Sequence, residues 1–210
     1  MPKIKAPRTA PSLDMTPMVD LAFLLVTFFM LTAKFRSEEA VIVDTPSSIS
    51  EKLLPENVMM VTLDTAGRVF FNIEGQDVRK NLLLKMGEKY KVPFDEKEIK
   101  RFQLMTMFGM PMKELKQYIS ESEINRAKMD QQTKGIPIDS TGGELGDWIA
   151  FGRYADAEDA AKKNMDKNRL RVAIKADGMA DYKKVKDVIK TFQDKNVNRF
   201  NLITNLEKEE

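Results

Sequence analysis

Residues 15–33 read MTPMVDLAFLLVTFFMLTA, 19 residues with a single charge, Asp20. At 1.5 Å per residue a helix of that length is about 28 Å long, close to the ~30 Å hydrocarbon core of a bilayer. No later stretch of the chain runs as far without a charge. The architecture predicted from this segment is one transmembrane helix over 15–33, a tail over 1–14, a linker over 34–57, and a folded domain over 58–210. Two other readings compete. A cleaved signal peptide suits the basic start, but Asp20 interrupts the apolar run, Thr16-Pro17 opens it, and Lys34, Phe35 and Arg36 stand where a small-residue cleavage site belongs. A buried helix of a water-soluble protein has the same pattern, because the run is barely of membrane length.

The flanks give an orientation. Lys3, Lys5 and Arg8 precede the helix, and Lys34 and Arg36 follow it, three basic residues against two. The positive-inside rule then puts the 1–14 tail in the cytoplasm and the large domain on the far side. Pro17 suits a first helical turn, where its missing N–H has no acceptor to lose, and Thr16 or Asp14 is placed to cap the free N–H groups. That makes Asp14, Thr16 and Pro17 the helix entry and sets Asp20 about one turn inside.

A carboxylate at the centre of a membrane helix costs about 2.5–3.5 kcal/mol, so Asp20 requires an account. One is an interfacial Asp stabilised by the positive end of the helix dipole. The other is a proton-binding carboxylate that faces a partner helix or a watery crevice and cycles between its two protonation states. Thr27 lies seven residues on, hence on the same face, and is a candidate for a polar path. A Thr hydroxyl bonded back to its own helix is the commoner arrangement.

Composition narrows the classes. The chain has 210 residues, 42% apolar and 31% charged, which argues against wholesale disorder and against a polytopic membrane protein. With Lys+Arg 34 and Asp+Glu 32 the net charge is +2, and no basic stripe with interleaved aromatics marks a nucleic-acid surface. There is no Cys and no His, so disulfides, thiolate or imidazole metal sites and a Ser-His-Asp triad are excluded. Neither a cofactor nor a metal is expected. Asp64, Asp77, Asp139 and Asp177 form no pair with a spacing tied to a reaction, so no catalytic residue is assigned and an enzyme is not expected.

The domain reads as α+β. Val58–Leu63 and Arg68–Ile73 flank Asp64-Thr65-Ala66-Gly67 and predict a hairpin with a four-residue turn. Helical spacing of apolar residues then recurs over Asp77–Tyr90, Asp95–Phe108 and from about Glu144, and Met112–Met129 reads as a further, more charged helix, so 76–167 reads as an inserted helical region. Gly142-Gly143 lacks the surrounding residues of a phosphate loop and reads as a helix-entry turn. Four methionines, Met105, Met107, Met110 and Met112, suit adaptable core filler or a partner surface better than a thioether copper site. Leu170, Val172 and Ile174 alternate with charged residues as a half-buried strand, and Tyr182, Val185, Val188, Ile189 and Phe192 form a helical stripe. Phe200, Leu202 and Ile203 make a last strand. The linker carries a short β-like run, Ala40–Val43.

Two parts of the chain carry a resemblance. The run Asp14-Met15-Thr16-Pro17-Met18-Val19-Asp20-Leu21 at the mouth of an apolar helix resembles the signature of the ExbD/TolR family, the proton-motor subunits of Gram-negative inner membranes. The C-terminal RLRVAIKAD (169–177), the helix around Tyr182–Lys195 and NRFNLITNLE (198–207) look like that family's final strand–helix–strand. The resemblance implies a fold with one membrane helix and a small mixed-sheet periplasmic domain, and a role for Asp20 as the family's proton carrier. It implies a homodimer inside a ring of a multi-pass ExbB- or TolQ-type partner, with a TonB- or TolA-type protein receiving the work. Energised TonB-dependent transport across the outer membrane is the expected function. The alternatives are a TolR-like envelope-maintenance subunit and a membrane-tethered periplasmic module that binds peptidoglycan. Residues 76–167 have no evident counterpart in the short family core.

Overall fold

A computed structural model of the chain describes residues 15–32, 43, 47–48, 57–138, 143–165, 170–203 and 205–206. The chain divides into two compact units, residues 1–37 and 38–210. In the first, helix α1 spans Thr16–Thr32. Its 17 residues measure about 26 Å at 1.5 Å each. Among the described residues, no helix is long and apolar enough to cross a membrane.

The second unit is α+β, as expected. Two short strands, β1 (Ser47–Ser48) and β6 (Asn205–Leu206), pair in parallel and tie the linker to the C-terminal end of the domain. The main sheet has four strands, β2 (Val58–Leu63), β3 (Val69–Ile73), β4 (Arg171–Ala176) and β5 (Asn201–Ile203), in the order β3-β2-β4-β5. β2 pairs antiparallel with β3 and parallel with β4, and β4 pairs parallel with β5, so the sheet is mixed. The β2–β3 turn is closed by Gly67, whose φ of 71° suits a residue without Cβ, and by Asp64, whose carboxylate accepts from the Arg68 N–H at 2.8 Å.

Among the described residues, five helices separate β3 from β4: α2 (Gln76–Tyr90), α3 (Glu96–Leu104), α4 (Met112–Ser120), α5 (Glu123–Gln132) and α6 (Gly143–Lys162). α7 (Tyr182–Asp194) connects β4 to β5. Alternation along the strands sends Met59, Val61 and Leu63 of β2, Phe71 and Ile73 of β3, and Val172 and Ile174 of β4 to one face. Val78, Leu82 and Met86 of α2, Leu145, Trp148 and Ile149 of α6, and Val188 and Phe192 of α7 complete that core. Gly152 lets α6 approach the sheet: a Cβ there would lie 2.7 Å from the Met59 methyl.

Two helix boundaries differ from the periodicity. The helix predicted over 95–108 ends at Leu104, and Phe108 instead pairs with Phe71 through N–H···O bonds of 2.8 and 3.1 Å. The edge of β3 thus gains a backbone partner, and that pairing outweighs the helical spacing of Met105 and Phe108. The single helix predicted over 112–129 is two, broken at the extended Glu121 and at Ser122, which occupies the N-cap position of α5. Of the β-like run Ala40–Val43, only Val43 falls among the described residues, where it is buried.

Candidate functional site

The first turn of α1 starts from the Met15 carbonyl, which accepts the N–H groups of Met18 and Val19 at 3.1 Å. Thr16 and Pro17 are therefore the first two helical residues, and Asp14 lies outside the described residues. Pro17 occupies a position whose N–H would have no intrahelical acceptor, so the helix starts there without strain. Asp20 stands in the second turn and is exposed within its own chain. The Thr27 hydroxyl donates to the carbonyls of Phe23 at 3.0 Å and Leu24 at 2.9 Å, so its proton is given to its own helix. Thr32 does the same to Phe28 at 2.8 Å. Both hydroxyls are thereby accommodated in an apolar helix without a partner.

The rest of α1 is apolar on every side. Leu21, Phe23, Leu24, Leu25, Val26, Phe28 and Phe29 are each 57–67% exposed. A helix hydrophobic all round has no solvated face to present to water. Asp20 is its one ionisable group.

The carboxylates of the folded domain have structural partners. Asp64 holds the Arg68 Nε at 2.6 Å, Asp77 holds Lys163 at 3.0 Å, and Asp177 accepts from the Met179 N–H at 2.9 Å. Asp139 lies outside the described residues. Among the described residues, no group of three or more His, Cys, Asp or Glu could hold a metal ion. Met105, Met107, Met110 and Met112 are all buried, which makes them core filler rather than a partner surface or a copper site. An open groove of about 600 Å³ between α2 and α6 is lined by Lys85, Lys89, Phe151 and Tyr154. Its lysines are already paired, Lys89 with Asp147 at 2.6 Å and Lys85 with Glu158 at 3.5 Å, so it offers no free cation.

Sequence reasoning missed one pair. The Tyr118 hydroxyl of α4 donates to Asp130 of α5 at 2.9 Å, and both residues are buried. On one straight helix these residues would be about 18 Å apart, so the break at Glu121–Ser122 is what joins them. Burial pushes the Asp130 carboxyl up to about 6, against the opposing pull of the Tyr118 hydrogen bond and of the Arg126 and Arg68 charges. Burial, then the Asp130 charge, pushes the Tyr118 hydroxyl up as well, so it stays protonated. In the sequence Asp130 is one of 32 acids, and nothing in its neighbourhood sets it apart.

The chain matches the family model described as biopolymer transport protein ExbD/TolR over residues 7–207. It belongs to the ExbD/TolR family. The match takes in Asp14, Thr16, Pro17 and Asp20 at one end, the strand–helix–strand at the other, and runs through 76–167 between them. No curated protein and no solved structure matches the chain. Membership of ExbD/TolR carries a place in biopolymer transport, and with it the expectation of a membrane-embedded complex with ExbB- or TolQ-like partners.

Proposed function

We propose that this ExbD/TolR chain is a proton-motive subunit anchored in the inner membrane by the apolar stretch 15–33, with 1–14 in the cytoplasm and the α+β domain in the periplasm. The observation that carries this reading is a helix apolar on every face with one carboxylate, Asp20, in its second turn. Such a surface is covered by lipid or by other helices, and an ionisable group placed there serves a path for charge by default. A proton moved across the membrane potential yields about 2.3 kcal/mol per 100 mV, which supports mechanical work only if its carrier cycles between protonated and charged states. Asp20 is the residue assigned that role. Thr27, on the same face, is a lining residue whose oxygen remains free to accept a hydrogen bond. Two copies of α1 within an ExbB-type ring would couple proton passage to motion, and the periplasmic domain would pass that motion to a TonB-type protein.

The test is uptake of an outer-membrane receptor substrate in cells carrying Asp20→Asn, with membrane insertion and partner-ring assembly measured in the same cells. The expected outcome is an assembled complex without uptake. Normal uptake by an assembled Asp20→Asn complex contradicts the TonB-linked reading. Loss of envelope integrity in place of loss of uptake identifies the TolR-like role. Binding of the chain to peptidoglycan, with normal behaviour after the helix is exchanged for a neutral one, identifies a tether.

A further inference from the structure

We propose that Asp130 and Tyr118 form a proton-operated latch, which holds α5 against the β3 edge while the carboxyl is neutral and loosens it when the carboxyl is charged. The inference is independent of Asp20 and concerns only the folded domain.

The geometry is that of a site built for a neutral acid. Asp130 is 3% exposed, and among the described residues its one hydrogen-bonding side-chain partner is the uncharged Tyr118 hydroxyl. Its second carboxyl oxygen is buried and accepts no hydrogen bond. Two cations, Arg126 and Arg68, act on it, and among the described residues neither forms an ion pair with it. Arg126, one turn earlier on α5, has its Nε buried and unpaired and its guanidinium 3.9 Å from Glu123. Arg68, from the β2–β3 hairpin, gives its Nε to Asp64 and one terminal nitrogen to the backbone carbonyls of Asp130 at 2.9 Å and Gln131 at 2.7 Å. A carboxylate in this position would be desolvated with one neutral donor and no ion pair, which is costly.

The latch has an output. Arg68 fastens the last turn of α5 to the hairpin. Immediately beyond, the Thr133 hydroxyl donates to the Gly109 carbonyl at 3.0 Å, and the Ile136 N–H donates to the Val69 carbonyl at 2.9 Å. Residues 123–136 are thus a strap from Tyr118 to the edge of β3. The sign of the pH dependence follows from the Asp130 carboxyl, pushed from 3.8 to about 6 in the folded chain. Between these values the folded state holds more protons than the unfolded one, so the contribution of Asp130 to stability falls as pH rises, and the fall is complete above about 6. The strap is therefore tight in acid and loosened at neutral pH.

The test is hydrogen–deuterium exchange of the full chain in detergent micelles at about pH 5 and about pH 7.5, either side of the transition, with rates corrected for intrinsic exchange. Residues 123–136 should lose at least about tenfold in protection at the higher pH while α2 and α6 keep theirs. Asp130→Asn should give equal protection at both values. Tyr118→Phe removes the hydrogen bond that favours the charged form, so its transition should move to higher pH. Uniform protection in the wild-type chain, a fall shared equally by α2 and α6, or a fall that persists in Asp130→Asn would overturn the proposal. Where Asp130→Asn does not fold, an unmoved transition in Tyr118→Phe overturns it.

Discussion

α1 and α7 are made of unlike material and end in opposite situations: α1 carries one charged residue in 17, α7 six in 13. α7 places Val188 and Phe192 on one stripe, sets Lys183, Lys186 and Lys190 on the other side, and buries the stripe against the sheet. Its N-terminus is capped by Asp181, which accepts from the Lys183 N–H at 2.9 Å. α1 has no such division: its leucines and phenylalanines point every way, and none is buried within its own chain. The amphipathic helix completes its packing inside the domain. The uniformly apolar helix buries none of its residues, and it is the one that carries the lone carboxylate.

The contrast is sharpest in the response to truncation. Trp148→Ala removes a fully buried ring packed among Phe71, Phe102 and Phe108, and should cost the domain about 3–5 kcal/mol, read by denaturant unfolding followed by circular dichroism. Arg68→Ala should cost about 2–3 kcal/mol in the same assay, because it strips the Asp64 carboxylate and two backbone carbonyls of a charged donor. Asp181→Ala should cost about 1 kcal/mol through loss of the α7 cap, seen as faster exchange in the first turn of that helix. Leu25→Ala, in α1, should move domain unfolding by less than about 0.5 kcal/mol, since the side chain is 57% exposed within the chain. A large effect of Leu25→Ala on domain unfolding would show that α1 contributes to the stability of the domain.

Much of the domain was legible because its signals are local. Asp64-Thr65-Ala66-Gly67 between two β-rich runs specifies its own hairpin, and the stripe of α7 needs no knowledge of its partner. What could not be read was set by contacts between distant residues. Phe108 leaves the helical pattern because Phe71 offers it a backbone pair, and Ser47-Ser48, with no strand-forming residues, pair with Asn205-Leu206 at the far end of the chain. The helix break at Glu121–Ser122 has no Gly or Pro to mark it, and with the break went the meeting of Tyr118 and Asp130. Asp20 stands out in the sequence without any fold around it, as a single carboxylate in an apolar run.

The most direct measurement is energised uptake in cells carrying Asp20→Glu and Asp20→Asn side by side, with equal assembly of the complex verified in both. A carboxylate that cycles a proton predicts measurable uptake for Glu and none for Asn, because only the first keeps an ionisable group one methylene from the original position. Equal uptake by Asn and the wild-type chain would contradict the assignment of Asp20 and, with it, the proton-motive account.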